Sequence, residues 1–278
     1  LRGDVSGSQI KNNNIHDNGE GISSGGGVSF DTLSISSNQI TNSDDGYGIY
    51  FNGFSNGALT ISENQVTGSD STGIYLSGGG SQISGSTVTI SGNTISSNSG
   101  DGIYADVIEN STFNISNNTN ISGNTGNGIY ICSQGKCVNS TVTIGGNQVN
   151  NNSQSGIYLN QVLDNSVVTI SSNNVKENQG YGVYMSEVTN SDVTIGQDNT
   201  IADNTNAGIY LNEDVTGVSI TGNTITGNGL GTDTTGIVTY SSEGNSAHNN
   251  TISGNSTGVA NFDTEGSFDA RENWWGDS

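Results

Sequence analysis

Basic and apolar residues are both scarce in this sequence. Lys and Arg together number 5 among 278 residues, against 26 Asp and Glu, which gives a formal net charge of −21. The shortage of basic residues excludes a nucleic-acid-binding protein, because phosphates need a footprint of Lys and Arg. Only 29% of the residues are hydrophobic, and that share combined with high net charge is normally typical of disorder. A folded chain of this composition therefore needs a narrow core that is repeated many times.

Long hydrophobic runs, proline and cysteine are also rare or missing. The longest apolar runs are a few residues, so the sequence predicts no membrane span. Proline is absent, and the only cysteines are Cys132 and Cys137. With no His or further Cys near them, they make a poor zinc site. We predict a disulfide between them, with two free thiols as the alternative.

Asparagine is abundant, and the sequence contains eight Asn-x-Ser/Thr sequons. They are candidate N-glycosylation sites and agree with an exported protein, although many sequons arise by chance in a chain so rich in Asn and Ser. The eight sequons begin at Asn110, Asn114, Asn117, Asn120, Asn139, Asn151, Asn249 and Asn255.

Two phrases recur along the whole chain. The first is Gly-Ile-Tyr or a close variant, and the second has the form Val-Thr-Ile-Ser-Gly-Asn-Thr-Ile, as at residues 88–95. They recur in step, at intervals of 23 to 29 residues that average 26. The first phrase begins at Gly48, Gly73, Gly102, Gly128, Gly156, Gly182, Gly208 and Gly236. The turn Asn of the second phrase falls at Asn13, Asn38, Asn64, Asn93, Asn118, Asn147, Asn173, Asn199, Asn223, Asn250 and Asn273.

Within each repeat the apolar residues alternate with polar ones, which is the period of a β-strand. Val88 and Ile90 share one face while Thr89 takes the other, and Ile103 points opposite to Tyr104. Turns of Asn, Gly and Ser separate three such short strands in each repeat. We therefore predict an all-β parallel β-helix of about eleven coils of about 26 residues. Its interior would be apolar, and its turn Asn residues would stack in an amide ladder.

Two longer motifs connect this pattern to a known family. The segment ISGNTISSNSGDGIY at residues 90–104 and the closing ARENWWGDS resemble the parallel β-helix repeat family of the pectate-lyase-like superfamily. The repeat pattern most resembles that of bacterial and archaeal cell-surface β-helix repeat proteins. The resemblance covers the whole chain and implies a right-handed, single-stranded β-helix. Because the family includes polysaccharide-degrading enzymes as well as surface repeats, it indicates the fold more strongly than the function.

One outward position is occupied by tyrosine on seven consecutive coils. If equivalent residues stack one rung apart, these side chains form a stripe along the surface. The stripe is a candidate platform for sugar rings or a docking patch for another copy of the chain. The remaining alternative is that it only strengthens the sheet. Its members are Tyr50, Tyr75, Tyr104, Tyr130, Tyr158, Tyr184 and Tyr210.

Several aspartates precede the inward isoleucines of neighbouring coils. Asp45 and Asp70 hold equivalent places on adjacent coils, and stacking would set their backbones about 5 Å apart. Asp44 and Asp101 lie close by. A glycoside hydrolase needs two carboxylates at such separations, so Asp45 and Asp70 are the candidate catalytic pair. The four aspartates are also a candidate calcium site, with solvated turns as the third alternative, and no other cofactor is predicted.

A column of hydroxyl side chains on another strand resembles the arrays of ice-binding β-helices. Ala58, Val167, Asp192 and Gly217 interrupt the flanking column, so ice binding is a minor alternative. The hydroxyl column consists of Ser34, Thr60, Thr89, Thr143, Thr169, Thr194 and Ser219.

Short turns and the lack of a capping helix or of long loops favour a structural role. The lyase and polygalacturonase motifs of the family that the chain resembles are missing. We therefore predict that residues 1–278 form one domain of a non-enzymatic secreted or cell-surface protein: a stalk, lattice, sheath or filament element, adhesive through the tyrosine stripe. Its partners would be copies of itself, neighbouring domains of a longer chain, or polysaccharide. The alternative is a carbohydrate-binding module or a carbohydrate-active enzyme that uses Asp44, Asp45, Asp70 and Asp101.

Overall fold

The chain winds as a right-handed parallel β-helix, which confirms the predicted fold class. The computed structural model describes residues 1–26, 28–77, 81–133, 136–231, 235–241 and 243–276. Three sheets of ten parallel strands each run along the solenoid, and a fourth sheet has four strands. Within the described residues, no helix is long and apolar enough to cross a bilayer.

Each coil contributes one strand to sheet 1, then one to sheet 2 and one to sheet 3; strands are numbered along the chain. Sheet 1 consists of β1 (Ser8–Lys11), β4 (Thr32–Ser36), β8 (Ala58–Ser62), β12 (Thr87–Ser91), β16 (Thr112–Ser116), β20 (Thr141–Gly145), β23 (Val167–Ser171), β26 (Asp192–Gly196), β29 (Val218–Thr221) and β32 (Ser246–His248). Sheet 2 consists of β2 (Asn14–Asn18), β5 (Gln39–Ser43), β9 (Gln65–Thr67), β13 (Thr94–Ser96), β17 (Asn120–Ser122), β21 (Gln148–Asn150), β24 (Asn174–Lys176), β27 (Thr200–Ala202), β30 (Thr224–Thr226) and β33 (Thr251–Ser253).

Sheet 3 follows sheet 2 on each coil, and on four coils a strand of sheet 4 comes next. Sheet 3 consists of β3 (Ile22–Ser24), β6 (Ile49–Phe51), β10 (Ile74–Leu76), β14 (Ile103–Ala105), β18 (Ile129–Ile131), β22 (Ile157–Leu159), β25 (Val183–Met185), β28 (Ile209–Leu211), β31 (Thr235–Thr239) and β34 (Thr257–Asn261). Sheet 4 consists of β7 (Phe54–Ser55), β11 (Gln82–Ser84), β15 (Val107–Glu109) and β19 (Cys137–Val138).

The number of coils is slightly smaller than predicted. Ten strands in each main sheet correspond to about 9 turns, whereas the repeat phrases indicated about eleven. The last phrase makes isolated parallel bridges, Ser246 with Asp269 and Thr251 with Trp274, instead of full strands. Counting phrases therefore overestimates the coils, because the last phrase forms bridges and not strands.

The apolar residues point inward and form one continuous buried core. In the column after the repeat glycine, Ile74 stacks in register between Ile49 and Ile103, and all three are fully buried. Branched aliphatic side chains pack well on such pleated surfaces, where each meets its own equivalent on the next rung. This column is the predicted apolar spine, and its narrowness explains how a chain with 29% hydrophobic residues can fold.

The turn between sheets 1 and 2 carries the predicted amide ladder. Oδ1 of Asn118 accepts hydrogen bonds from the backbone N and from Nδ2 of Asn93, each at 3.0 Å. Nδ2 of Asn118 donates to the carbonyl of Ile90 at 3.0 Å and to Oδ1 of Asn147 at 2.9 Å. The preceding residue, Asn117, has a φ of 53°. A residue with a left-handed backbone conformation likewise precedes each of the remaining Asn residues of this ladder. This bend turns each amide inward, where its neighbours satisfy its hydrogen bonds.

A second amide ladder, which the sequence analysis missed, occupies the turn between sheets 2 and 3. Asn152 accepts from the backbone N and Nδ2 of Asn124 and donates to Asn178 and to the carbonyl of Ile121. The available signal was an Asn four residues before the repeat glycine on five coils. The members of this ladder are Asn98, Asn124, Asn152, Asn178, Asn204, Asn228 and Asn255.

Glycine precedes the sheet 3 strands because the coils approach each other closely there. A Cβ atom on Gly128 would lie 2.4 Å from Cγ1 of Val149 and 2.7 Å from the carbonyl oxygen of Gly156. Both distances are far below van der Waals contact. The glycine of the Gly-Ile-Tyr phrase is therefore a packing requirement of the stacked coils.

Candidate functional site

The outward face of sheet 3 carries a continuous row of aromatic rings. The strand register pairs Tyr75 with Tyr50 and Tyr104, and it continues in the same way to Tyr210 across seven coils. These tyrosines are half-buried between fully buried neighbours. Ring contacts extend the row to all ten tyrosines of the chain. We call this row the tyrosine ladder: Tyr47, Tyr50, Tyr75, Tyr104, Tyr130, Tyr158, Tyr181, Tyr184, Tyr210 and Tyr240.

Neighbouring rings of the ladder are in direct contact. The ring centroids of Tyr75 and Tyr104 lie 4.6 Å apart with planes at 6°, and those of Tyr130 and Tyr158 lie 4.4 Å apart with planes at 4°. Between these stacked pairs, Tyr104 meets Tyr130 edge to face at 5.5 Å. Tyrosine combines a large apolar ring with a polar hydroxyl, which suits surfaces that bind amphipathic partners. The ladder is therefore a long aromatic surface lined with hydroxyl groups.

Burial raises the pKa of every tyrosine in the seven-coil stripe, and nearby phenols and carboxylates add to the effect at several of them. The folded chain therefore favours neutral phenols. An acid whose pKa is higher in the folded state than in the unfolded state stabilises the fold below the unfolded pKa, which for tyrosine is about 10. That stabilisation is lost as the pH rises from there through the folded pKa values.

We expect the free energy of unfolding to fall as the pH rises above about 10, because the unfolded tyrosines ionise first. Denaturant titrations across the alkaline range, together with phenolate absorbance of the folded chain, measure this. The chain unfolded in denaturant is the control and should ionise near the ordinary tyrosine value. Folded tyrosines that ionise together with the unfolded control would contradict the prediction.

Near the middle of the ladder, Tyr104 lies between two carboxylates. Asp106 follows β14 directly and is 4% exposed, and it is the only buried acidic side chain in the described part of the chain. Its Oδ1 accepts a hydrogen bond from Oγ of Ser133 at 3.2 Å. The same Oγ is hydrogen-bonded to the hydroxyl of Tyr104. We call Asp101, Tyr104, Asp106 and Ser133 the Tyr104 site.

Asp101 precedes the same strand, on the other side of Tyr104. Its Oδ1 accepts hydrogen bonds from the backbone N of Asn127 at 2.6 Å and from Nδ2 of Asn127 at 3.0 Å. A Cβ on Gly126 would lie 2.5 Å from that Oδ1, so glycine is needed beside it. Burial raises the pKa of the Asp101 carboxyl, and the two bonds from Asn127 act in the opposite direction. Asp101 is therefore a positioned carboxyl that keeps its proton to a higher pH than an exposed aspartate does.

Ser133 directly follows one cysteine of a disulfide. The structure joins Cys132 and Cys137, whose Cα atoms lie 5.5 Å apart, and both residues are fully buried. The backbone N of Cys132 donates to the carbonyl of Ala105 at 2.8 Å. The disulfide thus closes a loop that starts beside β14 and presents Ser133 to Asp106. Two features that the sequence kept separate, the cysteine pair and the tyrosine stripe, meet here.

The four aspartates predicted as a catalytic or calcium cluster are not gathered. Asp44, Asp45 and Asp70 are exposed, whereas Asp101 is drawn inward by Asn127. The backbone N of Asp70 donates to the carbonyl of residue 43, which aligns Asp70 with Asp44 and not with Asp45. Across the described ranges, no three His, Cys, Asp or Glu side chains are arranged to hold a metal ion. The expected stacking fails because the turn before the repeat glycine varies in length between coils.

The hydroxyl column of sheet 1 is in register, but it is interrupted. Thr89 pairs with Thr60 on one side and with Asn114 on the other. In the flanking column Thr87 meets Ala58, so the array is not a regular lattice of threonines.

The sequon asparagines lie in different environments. Asn114 and Asn120 are half-buried on strands. Asn255 ends the second amide ladder, and its Nδ2 donates to the carbonyls of Ile225 and Ser253. A glycan on Asn255 would have to displace those two hydrogen bonds. The exposed sequon asparagines are Asn110, Asn117, Asn139, Asn151 and Asn249.

Asp106 and Ser133 were not predicted from the sequence as site residues. A signal for Asp106 was available, because the position after Gly-Ile-Tyr-x holds an acid on this coil and neutral residues such as Asn52, Ser77 and Asn160 on others. Ser133 gave no such signal. It lies two residues after β18, where the residue type varies from coil to coil.

The fold and this site define a right-handed β-helix protein with an aromatic outer face. The family described as "Right handed beta helix region" matches residues 161–274. The family described as "Periplasmic copper-binding protein (NosD)" matches residues 4–168, more than half of the chain. The chain belongs to this NosD family. No curated protein matches the sequence.

Two solved structures share the fold at low sequence identity. The A-module of the Azotobacter vinelandii mannuronan C-5 epimerase AlgE4 is 16% identical, with a TM-score of 0.68 over 98% of this chain and 74% of that module. A mutant of the periplasmic alginate epimerase AlgG is 15% identical, with a TM-score of 0.60 over 96% of this chain and 74% of the other.

These neighbours overturn the prediction of a non-enzymatic structural protein. Both are enzymes, so a β-helix of this kind does not by itself indicate a stalk or lattice element. The prediction that the chain is not an enzyme is wrong for the same reason. It relied on the missing lyase and polygalacturonase motifs and on the lack of long loops, but Asp101, Tyr104 and Asp106 lie together at one strand without either.

Proposed function

We propose that this chain is a carbohydrate-active enzyme that binds a polysaccharide along the tyrosine ladder and hydrolyses it at the Tyr104 site. The observation that carries the proposal is the position of Asp106: the buried carboxylate lies beside the aromatic row near its middle. Sugar rings have apolar faces that pack on aromatic rings, and a row of rings one rung apart can hold a chain of sugars.

The two carboxyls of the Tyr104 site suit general acid–base chemistry. Asp101, whose pKa is raised by burial, would donate a proton to the departing glycosidic oxygen. The water that attacks the sugar carbon would give its proton to the hydroxyl of Tyr104. The Tyr104 proton would pass to Ser133 and the Ser133 proton to Asp106, along the hydrogen bonds that join them. One glycosidic bond breaks and one water is consumed. Asp106 then releases its proton to solvent, and Asp101 takes up a proton from solvent, which restores both groups for the next turnover.

The residues present do not fit the copper that the family description names. Copper prefers imidazole and sulfur ligands. The two cysteines are joined to each other, Met185 is fully buried in sheet 3, and the two histidines lie near opposite ends of the chain beside Asp17 and Asp269. We therefore derive no step through a metal, and the proposal needs no calcium.

The proposed location is outside the cytoplasm. The word periplasmic in the family description and in the name of one structural neighbour supports this. A disulfide in a small loop also suits an oxidising compartment. Cell-surface attachment and assembly with further copies stay predictions.

The test is a binding and turnover screen of the purified chain. We expect at least one polysaccharide to be bound and to release reducing ends, and Tyr158→Ala to weaken binding by about tenfold, the effect of losing one well-packed aromatic anchor. Thr143→Ala, on the outward face of sheet 1, is the matched control and should bind as the parent does. A screen without binding, or a Tyr158→Ala variant with parental affinity and intact circular dichroism, would overturn the proposal.

A further inference from the structure

Carboxylates flank the tyrosine ladder along much of its length. Glu20 precedes a sheet 3 strand, while Asp106 and Glu187 follow such strands at the other rim. The charges of these carboxylates affect the tyrosines. Burial is the largest cause of the raised pKa of Tyr50, and Glu20 adds to it; Glu187 adds in the same way to the raised pKa of Tyr158. The ladder therefore lies in a negative potential, within a chain whose net charge is −21.

The basic residues are few and lie largely elsewhere. Lys11 belongs to sheet 1 and Lys176 to sheet 2. Arg2 lies beside Gly25 on the first coil, and the guanidinium of Arg271 is paired with Asp269 at the last coil, 2.7 Å from it. The fifth basic residue is Lys136, which is exposed in the disulfide loop. A single exposed lysine cannot neutralise the carboxylates that border the ladder.

This charge arrangement disfavours polyuronates as ligands. A polyuronate such as alginate carries one carboxylate per sugar, and each would meet the negative rim with no row of cations to pair with. Placing like charges together in a partly desolvated site costs free energy and raises the pKa of one of them. The shared fold of the alginate epimerases therefore does not extend to a shared ligand charge.

We infer that the ladder binds a cationic amino polysaccharide, a polymer of hexosamines with free amines. This inference rests on the proposed function, because it assigns the ligand class of the same face. The sugar rings would pack on the tyrosines, and the ammonium groups would pair with the rim carboxylates and contact the tyrosine ring faces. The charge complementarity of the whole face supplies the selectivity.

The experiment compares three oligosaccharide ligands on the intact chain, at a pH at which the amines are protonated. The ligands are a glucosamine oligomer, its fully N-acetylated form of equal length, and a mannuronate oligomer. We expect the glucosamine oligomer to bind about tenfold or more tightly than the N-acetylated form, because charge-assisted hydrogen bonds are lost on acetylation. Its affinity should fall as salt is raised, and the mannuronate oligomer should bind least.

One variant locates the charge effect. Glu187→Gln should weaken glucosamine binding severalfold and leave binding of the N-acetylated oligomer unchanged. Glu63→Gln removes an exposed carboxylate in the turn between sheets 1 and 2 and is the matched control. Equal affinity for the two hexosamine forms, or tighter binding of mannuronate, would overturn the inference while leaving the proposed function standing. Failure of all three ligands overturns it as well, and the polysaccharide screen then decides the fate of the proposed function.

Discussion

Asn118→Ala is expected to destabilise the solenoid by about 3 kcal/mol or more, because it leaves at least two buried polar groups without partners. Asn118 is fully buried. Without its amide, the backbone N of Asn93 loses its acceptor and the carbonyl of Ile90 loses its donor. Each such group costs roughly 1–3 kcal/mol when left unpaired. A lower midpoint of denaturant unfolding measures the effect.

Asn114→Thr is the control for the ladder prediction. Asn114 lies outward on β16 and pairs in register with Thr89 and Thr143, so threonine continues an existing column. We expect a change within about 0.5 kcal/mol of the parent, as for most surface substitutions. If both variants had equal midpoints, the amide ladder would contribute nothing specific to stability.

Asp101→Asn is expected to lower turnover by roughly 10²–10⁴-fold at saturating substrate, the range of general acid catalysis. Saturation removes any contribution from weaker binding. The parent enzyme should lose activity as the pH rises through the raised pKa of Asp101, because the acid must be protonated to act. The variant should lack that alkaline limb. Circular dichroism should match the parent, since asparagine keeps the oxygen that Asn127 contacts.

Asp70→Asn is the matched control for Asp101→Asn. Asp70 is exposed and was grouped with Asp101 in the sequence, but the structure holds it in an outer turn. We expect parental turnover from this variant. Parental turnover from Asp101→Asn would contradict the role of Asp101 in the proposed mechanism. Loss of turnover in Asp70→Asn would indicate that the exposed aspartates take part in catalysis.

Much of the fold could be predicted because the spacing of the repeats indicates which residues stack on one another in successive coils. Each repeat sets a residue beside its equivalent on the next coil, so the register of Ile74 with Ile103 and of Tyr75 with Tyr104 follows from alignment of the phrases. The first amide ladder followed from the same columns. The second was overlooked because its Asn residues lie outside the phrases, although Asn152 and its equivalents on four other coils lie four residues before the repeat glycine.

The candidate site was only half predictable. The ladder is a column, so repeat spacing located it; the carboxylates lie where the repeat breaks. Asp45 and Asp70 were matched by counting back from the inward isoleucines, but turns of unequal length shift their true alignment. The contact between Asp106 and Ser133 joins two residue types that the equivalent positions of the other neighbouring coils do not combine. The residues that depart from the repeat were thus harder to predict than the repeated ones, and these departures include the carboxyl groups of the site.

The most direct test of this account is nuclear magnetic resonance of the chain with ring-labelled tyrosine and ring-labelled tryptophan. All ten tyrosines belong to the ladder, so any ring signal reports on that face, while Trp274 and Trp275 at the last coil serve as internal controls. On addition of a bound polysaccharide, we predict shifts of the ring signals of Tyr75, Tyr104 and Tyr130 with little change at the tryptophans. Binding that leaves every tyrosine ring signal in place would contradict the account.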